Sequence, residues 1–323
     1  MQRRSLLTGA AALPFAMPAL AQENYPSRAV SMVVAFPPGG QADVVGRPAA
    51  ATLERIWRVP VPITNRGGAA GEIGNGFVAR STPDGYTLLV SHASVHVFSA
   101  ATMPTLPFNP VTDFTHIGLL VEAPNVLLVK SESRFKTLAE YLNAAKTQPV
   151  RFGSSGIGSA PHLLGAMLSG EAKVTNLDHV PYRGSAPAMQ DLMANQIESL
   201  IDPITTNVQL MKDGVLRALA VSSPQRLPAF PNVPTFAELG FPKLTSAQWL
   251  GLSGPKGMPQ PIVDRLAGLI NPILARPELM TRFEELQTLP RRPAPMNGDF
   301  VKIMREQITE WTAVAKQFDI VVT

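Results

Sequence analysis

The sequence predicts an α/β protein of two domains with mixed, mostly parallel sheets. Short apolar, β-branched runs alternate with longer stretches of helical periodicity, the pattern of βα units. The alternation comes in two successive sets, one opening at Val30 and one at Val126. At 323 residues the chain also exceeds one typical domain.

The first set opens with the apolar run Val30–Phe36, turns through Pro37-Pro38-Gly39-Gly40 and enters a helical stretch ending at Trp57. Pro48 falls inside that stretch and is expected to bend it. A strand at Val61-Pro62-Ile63, a Gly-rich loop and a helix near Glu72 to Arg80 follow. Pro83-Asp84-Gly85 signals a turn before a third strand over Tyr86–Val90.

The second set repeats this grammar. Strands are expected at Val126–Val129, Val150–Phe152, His179-Val180, Ser199–Ile201 and Leu216–Val221. Helices are expected over Leu138–Ala145, from Ser159, and over Ser185–Ala194. Residues Ser223–Pro242 are rich in Pro and Phe and read as a packed surface connection. Near the end, Phe300, Ile303, Met304, Ile308, Trp311, Val314 and Phe318 recur at three- and four-residue steps, a single apolar stripe that should dock on a sheet. Apolar strands near Ile117–Val129 and Gln248–Ser253 are long enough to cross between domains. The domains are therefore expected at 24–124 plus 246–323 and at 125–245.

The start of the chain addresses the compartment. Arg3 and Arg4 precede the apolar run Leu6–Phe15, and Ala19-Leu20-Ala21 supplies small residues for cleavage before Gln22, so residues 1–21 read as a secretory signal. Arg3-Arg4-Ser5-Leu6-Leu7 matches the twin-arginine motif in part, leaving both export routes open. There are no cysteines, which excludes disulfides, thiolate metal sites and a lipidated N-terminal Cys. Cleavage removes two of 28 basic residues and none of 24 acidic ones, leaving a net charge of +2. The basic residues are scattered singly, with no footprint for nucleic acid. No apolar run after residue 21 reaches the ~20 residues that span a bilayer.

In open α/β sheets ligands bind where strands end and helices begin, because the first N–H groups of a helix lack partners and favour anions. Four such loops stand out. In the first, Pro38, Gly39 and Gly40 expose backbone amides and Asp43 can cap the helix or hold a bridging water. The second, Asn65-Arg66-Gly67-Gly68-Ala69-Ala70-Gly71, resembles a backbone nest. The third carries Ser154, Ser155 and Ser159 with His162 one turn into the helix; it matches neither the dinucleotide fingerprint nor the nucleophile elbow. The fourth offers Tyr182, Gly184 and Ser185, with Asp202 at a strand end nearby. The first is also readable as a tight strand-to-helix turn without a ligand and the second equally as a flexible turn, while His162 also suits a packing role and Arg183 a solvated charge. Ser91, His92 and Ser94 follow the third strand and are candidates for tuning specificity. His92 and His96 have a spacing that suits a metal, yet no acidic motif accompanies them, so a structural role is favoured and no metal site is assigned.

Taken together, these segments resemble the Bug-type substrate-binding receptors of tripartite tricarboxylate transporters. The resemblance rests on Phe36-Pro37-Pro38-Gly39-Gly40 with Asp43, Asn65-Arg66, Pro83-Asp84-Gly85-Tyr86-Thr87-Leu88-Leu89 and Pro124-Asn125-Val126-Leu127. It continues through Ser154-Ser155-Gly156 with His162, His179-Val180-Pro181-Tyr182-Arg183-Gly184-Ser185, Leu216–Val221 and Pro231-Asn232-Val233-Pro234-Thr235. It implies a monomeric periplasmic receptor with a type II, flytrap-like periplasmic-binding-protein fold and a ligand cleft between domains. It also implies a small di-, tri- or aromatic carboxylate held by amides, hydroxyls and water, no cofactor, and delivery to membrane permease subunits. Gly67, Thr64 and Arg183 stand where the family commonly has proline, glutamate and lysine. Two other readings are a sensor presenting the same acid to a membrane kinase and an α/β hydrolase; the latter lacks an elbow and an acid–base pair in sequence.

Overall fold

The computed structural model describes residues 25–103 and 105–320. The signal assigned to residues 1–21 lies outside the described residues. In chain order the strands are β1 (Ser31–Val34), β2 (Ile63–Asn65), β3 (Thr87–His92), β4 (Phe114–Lys130), β5 (Val150–Ser154), β6 (Leu177–Pro181), β7 (Ser199–Pro203), β8 (Leu216–Val221) and β9 (Ala247–Pro255). The helices are α1 (Gln41–Trp57), α2 (Glu72–Ala79), α3 (Ala100–Thr102), α4 (Leu138–Ala144) and α5 (Ala160–Ala172). They continue with α6 (Ser185–Met193), α7 (Val208–Lys212), α8 (Gln260–Leu274), α9 (Pro277–Glu285) and α10 (Asn297–Gln317). Both α8 and α9 lie between the strand near Gln248–Ser253 and the C-terminal stripe, where the sequence alone marks no separate element. α1 runs through Pro48 as one element.

The strands join in the order β2-β1-β3-β9-β4-β7-β5-β6, with β8 also on β4. Parallel pairing is confined to the βα units, β1 with β2 and β3, and β5 with β6 and β7. Antiparallel pairs are as numerous because β4 and β9 insert between those units, so the sheet is more evenly mixed than the alternation suggests. β4 is the strand that crosses. Its residues Phe114–Pro124 pair with β9, and Asn125–Lys130 pair with β7 and β8. β9 stays wholly in the first half. The return is made just before it, where Ser222 N–H donates to Asn125 O and Ser246 N–H to Ser222 O. Asn125 Oδ1 accepts from Gln248 Nε2 beside this point, so the crossover is hydrogen-bonded between the outgoing and returning segments.

Each half has helices on both sheet faces. In the first, α1, α8 and α9 pack Val45, Leu53, Leu266, Ile270 and Phe283 on one face, while Val33, Val78, Leu89 and Phe114 fill the other. In the second, α6 and α7 cover Val126, Leu200 and Val221. The remaining core is shared: Phe98 and Leu119 of the first half and Phe152, Leu163 and Leu168 of the second join one cluster with Phe300, Met304 and Trp311 of α10. The C-terminal stripe therefore docks on both halves. Trp249 Nε1, on β9, donates to Gln307 Oε1 and fixes its height.

Candidate functional site

The first wall is built where β1 ends. The chain turns through Pro37–Gly40, with Gly39 at φ 80°, a left-handed conformation that glycine adopts without strain. No side chain at Gly40 caps α1. Asp43 does the work from within the first turn. Its Oδ2 accepts from Gly39 N–H at 2.9 Å and Arg47 Nε at 2.8 Å, and its Oδ1 from Arg47 Nη2 at 2.8 Å and Asn65 Nδ2 at 2.9 Å. Burial pushes this carboxyl up, but the bonds from Arg47, Gly39 and Asn65 outweigh it and hold it below the usual carboxylate range. Both oxygens are thus engaged within the wall, and Asp43 clamps the loop that carries Pro38, Gly39 and Gly40. The neighbouring loop is held by β2 and presents Ala69 exposed, with Ala69 and Ala70 both at positive φ. Neither nearby arginine is free: Arg47 binds Asp43 and Asn65, and Arg66 lies over the Phe77 ring at 3.7 Å.

Ser91 and His92 lie inside β3, which runs two residues past its expected end. Ser91 Oγ accepts from Ser253 Oγ at 2.9 Å, and Ser253 Oγ also meets His116 Nδ1 at 3.0 Å. His92 Nδ1 accepts from Ser94 N–H at 3.0 Å, and His92 Nε2 meets Gln41 Oε1 at 2.9 Å. His96 is spent elsewhere, on Pro110 O and Asn75 Oδ1. The two imidazoles do not converge, and among the described residues no group of three His, Asp or Glu side chains could hold a metal. Burial lowers both, His92 to about 4 and His96 to about 3, so both are neutral at pH 7.

The second wall comes from β5, β6 and β7. Ser159 caps α5 by accepting from His162 N–H, as its position in the sequence suggests. Ser154 is buried, and its Oγ accepts from Gly156 N–H and meets His179 Nε2 at 2.6 Å; Ser155 beside it is half-buried. His162 Nδ1 accepts from Gly158 N–H, and its ring stacks on His179 with centroids 3.9 Å apart. Together these two rings line a recess closed by Phe318 and Ile320 at the end of α10. Ser154 and His162 therefore shape the loop from behind. Tyr182, expected to close over a ligand, instead donates to Asp191 Oδ2 at 2.7 Å; burial and that carboxylate push its phenol up to about 12. Beyond Gly184, Ser185 Oγ donates to Asp202 Oδ1, while Thr206 Oγ1 and Asn207 Nδ2 donate to Asp202 Oδ2. Asp202 is fully buried, and burial outweighs these bonds and raises it to about 6.

The two walls touch where α1 packs against the one-turn 3₁₀ helix Ile204–Thr206 that follows β7. Among the described residues three buried side-chain atoms lack a hydrogen-bond partner, and all belong to these elements: Trp57 Nε1 at the last residue of α1, Gln41 Nε2 at its first, and Thr205 Oγ1 on the 3₁₀ helix. Unpaired buried polar atoms are rare and costly, so Gln41 and Thr205, on two elements in contact, mark a place for a third party. Neither was singled out from sequence. Gln41 had a signal, as the first helical residue after the glycine loop; Thr205 had none.

The comparisons with known proteins agree with this architecture. The family model for the tripartite tricarboxylate transporter family receptor, TctC, matches residues 45–320. A UPF0065 protein of Pseudomonas sp. strain P51, from the tcbD-tcbE intergenic region, is 36% identical over 289 residues, covering 88% of this chain and 85% of that one. BugT of Bordetella pertussis is 32% identical over 299 residues, covering 91% and 90%. Among solved structures, the periplasmic binding protein BugD superposes with a TM-score of 0.85 at 32% identity, covering 92% of this chain and 99% of BugD. MatC of Rhodopseudomonas palustris, solved with malate, gives 0.82 at 32% identity, covering 90% and 99%. Rpa4515 of R. palustris, solved with adipate, gives 0.85 at 30%, covering 92% and 99%. Sequence, fold and family model thus converge, and the chain belongs to the tripartite tricarboxylate transporter receptor family as a Bug-type receptor.

Proposed function

We propose that the protein is an exported periplasmic binding protein whose domains, 24–124 plus 246–323 and 125–245, close over a small carboxylate. It then passes the ligand to the permease subunits of a tripartite tricarboxylate transporter. The observation that carries this reading is the contact of α1 with Ile204–Thr206, where Gln41, at the start of α1, and Thr205 each carry an unpartnered buried polar atom. Backbone N–H groups at a helix N-terminus hold a carboxylate without a side-chain cation, and both arginines of the first wall are engaged elsewhere. That MatC and Rpa4515 are described with malate and adipate supports the ligand class.

Binding without turnover is the reading these groups favour. Ser154 Oγ and His179 Nε2 form the tightest hydroxyl–imidazole pair, but Ser154 is wholly buried and its oxygen already accepts from Gly156 N–H. A nucleophile in that position has no path to a substrate.

Thermal unfolding of residues 22–323 with mono-, di- and tricarboxylates, aromatic acids and amino acids tests the proposal. A ligand at 100 times its Kd stabilises by about 2.7 kcal/mol, a readily measured shift. A shift confined to carboxylates is the expected result. No shift with any acid, after refolding to strip carried-over ligand, overturns it.

A further inference from the structure

Ser94, His92 and Gln41 form a relay with a fixed direction. The Ser94 N–H donates to His92 Nδ1, so that nitrogen carries no proton. Burial keeps the ring neutral, and its one proton therefore sits on Nε2 and is donated to Gln41 Oε1. This sets the Gln41 amide. Rotated the other way, it would oppose two N–H donors. Its Nε2 is consequently held outward as a donor only, at the first position of a 17-residue helix, in a side chain 7% exposed and without a partner.

On the 3₁₀ helix that α1 contacts, Thr205 is 4% exposed and its hydroxyl, free to donate or accept, is also unpartnered. Its neighbours Thr206 and Asn207 are committed to the Asp202 carboxylate. No arginine of the first wall is free to neutralise a second anion here. A charged ligand group at this point would meet Asp202 without a counter-ion, whereas an uncharged oxygen meets no such penalty. A hydroxyl satisfies both protein groups at once, accepting from Gln41 Nε2 and donating to Thr205 Oγ1.

We propose that Gln41, oriented by His92, and Thr205 form a specificity pair that selects carboxylates bearing a hydroxyl over the same acids without one. This inference rests on the carboxylate reading above and adds to it the part of the ligand that is not the carboxylate. Leaving a buried donor unpaired costs enough that the hydroxy acid should bind about 10- to 100-fold tighter.

Calorimetric Kd values for matched pairs test it, malate against succinate and citrate against tricarballylate. In the parent protein at least one hydroxy acid should exceed its partner by that factor. Gln41→Leu should bring the ratio near one, chiefly by weakening the hydroxy acid. His92→Phe should lower the ratio without removing the donor, which a purely steric role for Gln41 does not predict. Trp57→Phe deletes the third unpartnered atom, at the far end of α1, and should leave the ratio unchanged. Circular dichroism and the melting temperature establish that each variant folds, and if His92→Phe does not, Thr205→Val replaces it with the same expectation. Equal binding of both acids by the parent, or a ratio that survives Gln41→Leu, overturns the specificity pair and leaves the carboxylate reading standing. Binding of none of these four acids overturns the specificity pair, and the carboxylate reading falls with it only when the wider panel of acids also gives no thermal shift.

Discussion

Ser185 Oγ donates to Asp202 Oδ1 at 2.5 Å, tying the first residue of α6 to the end of β7. The carboxylate that receives this bond is fully buried and faces only neutral partners, Ser185, Thr206 and Asn207. Burial raises it from 3.8 to about 6, so the native state favours the protonated acid. That contribution is complete below pH 3.8 and is lost as pH rises through 6, on the order of 3 kcal/mol. Asp202→Asn cannot ionise. Its urea-unfolding free energy relative to the parent should therefore improve by about 2–3 kcal/mol between pH 4 and pH 7. A difference that stays flat across that range contradicts the assignment.

The histidines act with the opposite sign and in greater number. All five, His92, His96, His116, His162 and His179, are lowered to between about 3 and about 4, with burial as the largest cause in each. Unfolding below their ordinary 6.5 takes up protons that the folded chain refuses. Stability is therefore full above pH 6.5 and is lost as pH falls toward the folded values, by several kcal/mol per pH unit near pH 5. Titrating the urea midpoint from pH 7 to pH 4 should show a steep fall. His162→Phe, which keeps a ring against His179, should lower the proton uptake on unfolding by about one.

Asp43 gives a third expectation. Its pKa is depressed, so it stabilises above 3.8 and ceases to do so as pH falls through its lower folded value. Asp43→Ala strands Gly39 N–H and removes one acceptor each from Asn65 Nδ2 and the half-exposed Arg47 guanidinium, and should cost about 2–3 kcal/mol. Arg47→Ala removes a half-exposed partner and should cost about 1 kcal/mol or less. Denaturant melts at pH 7 decide between them. Equal costs would mean that the ion pair, rather than the carboxylate's bonds to the loop, holds the wall.

Packing in the second half is close enough to test with one methyl group. A Cβ at Gly165 would lie 2.3 Å from the Phe152 ring, which is 2% exposed and has no room to swing. Gly165→Ala should destabilise by about 1–3 kcal/mol despite alanine's better helix propensity. A stabilised variant would show that α5 can retreat from β5.

Much of this fold is legible in the sequence because the signals are local. Ser159 caps α5 by its own hydroxyl, and Leu216–Val221 is a strand at the bounds its apolar run suggests. The end of β3 was not legible, since Ser91 and His92 are polar and only their partners Ser253 and Gln41 hold them in the strand. The loops that carry the site could be picked out by their glycines and hydroxyls. What those side chains bond to could not. Asp43 and Tyr182 are acceptor and donor by type, yet the protein itself consumes them through Arg47, Asn65 and Asp191. The reverse holds for Thr205, which looks like any threonine until the surrounding bonds are known.

The place of β9 also fixes an order of events during synthesis. β9 is inserted between β3 and β4, strands that precede it by more than a hundred residues. Until Ala247–Pro255 leaves the ribosome, β3 and the first part of β4 both present a bare edge, the kind of surface that templates misassembly. The strands β5 to β8 and the rest of β4 face no such delay, since they find one another within a contiguous stretch. The half that is translated first is thus the half that matures last, and any factor that guards the nascent chain has most to protect between the completion of β8 and the arrival of β9.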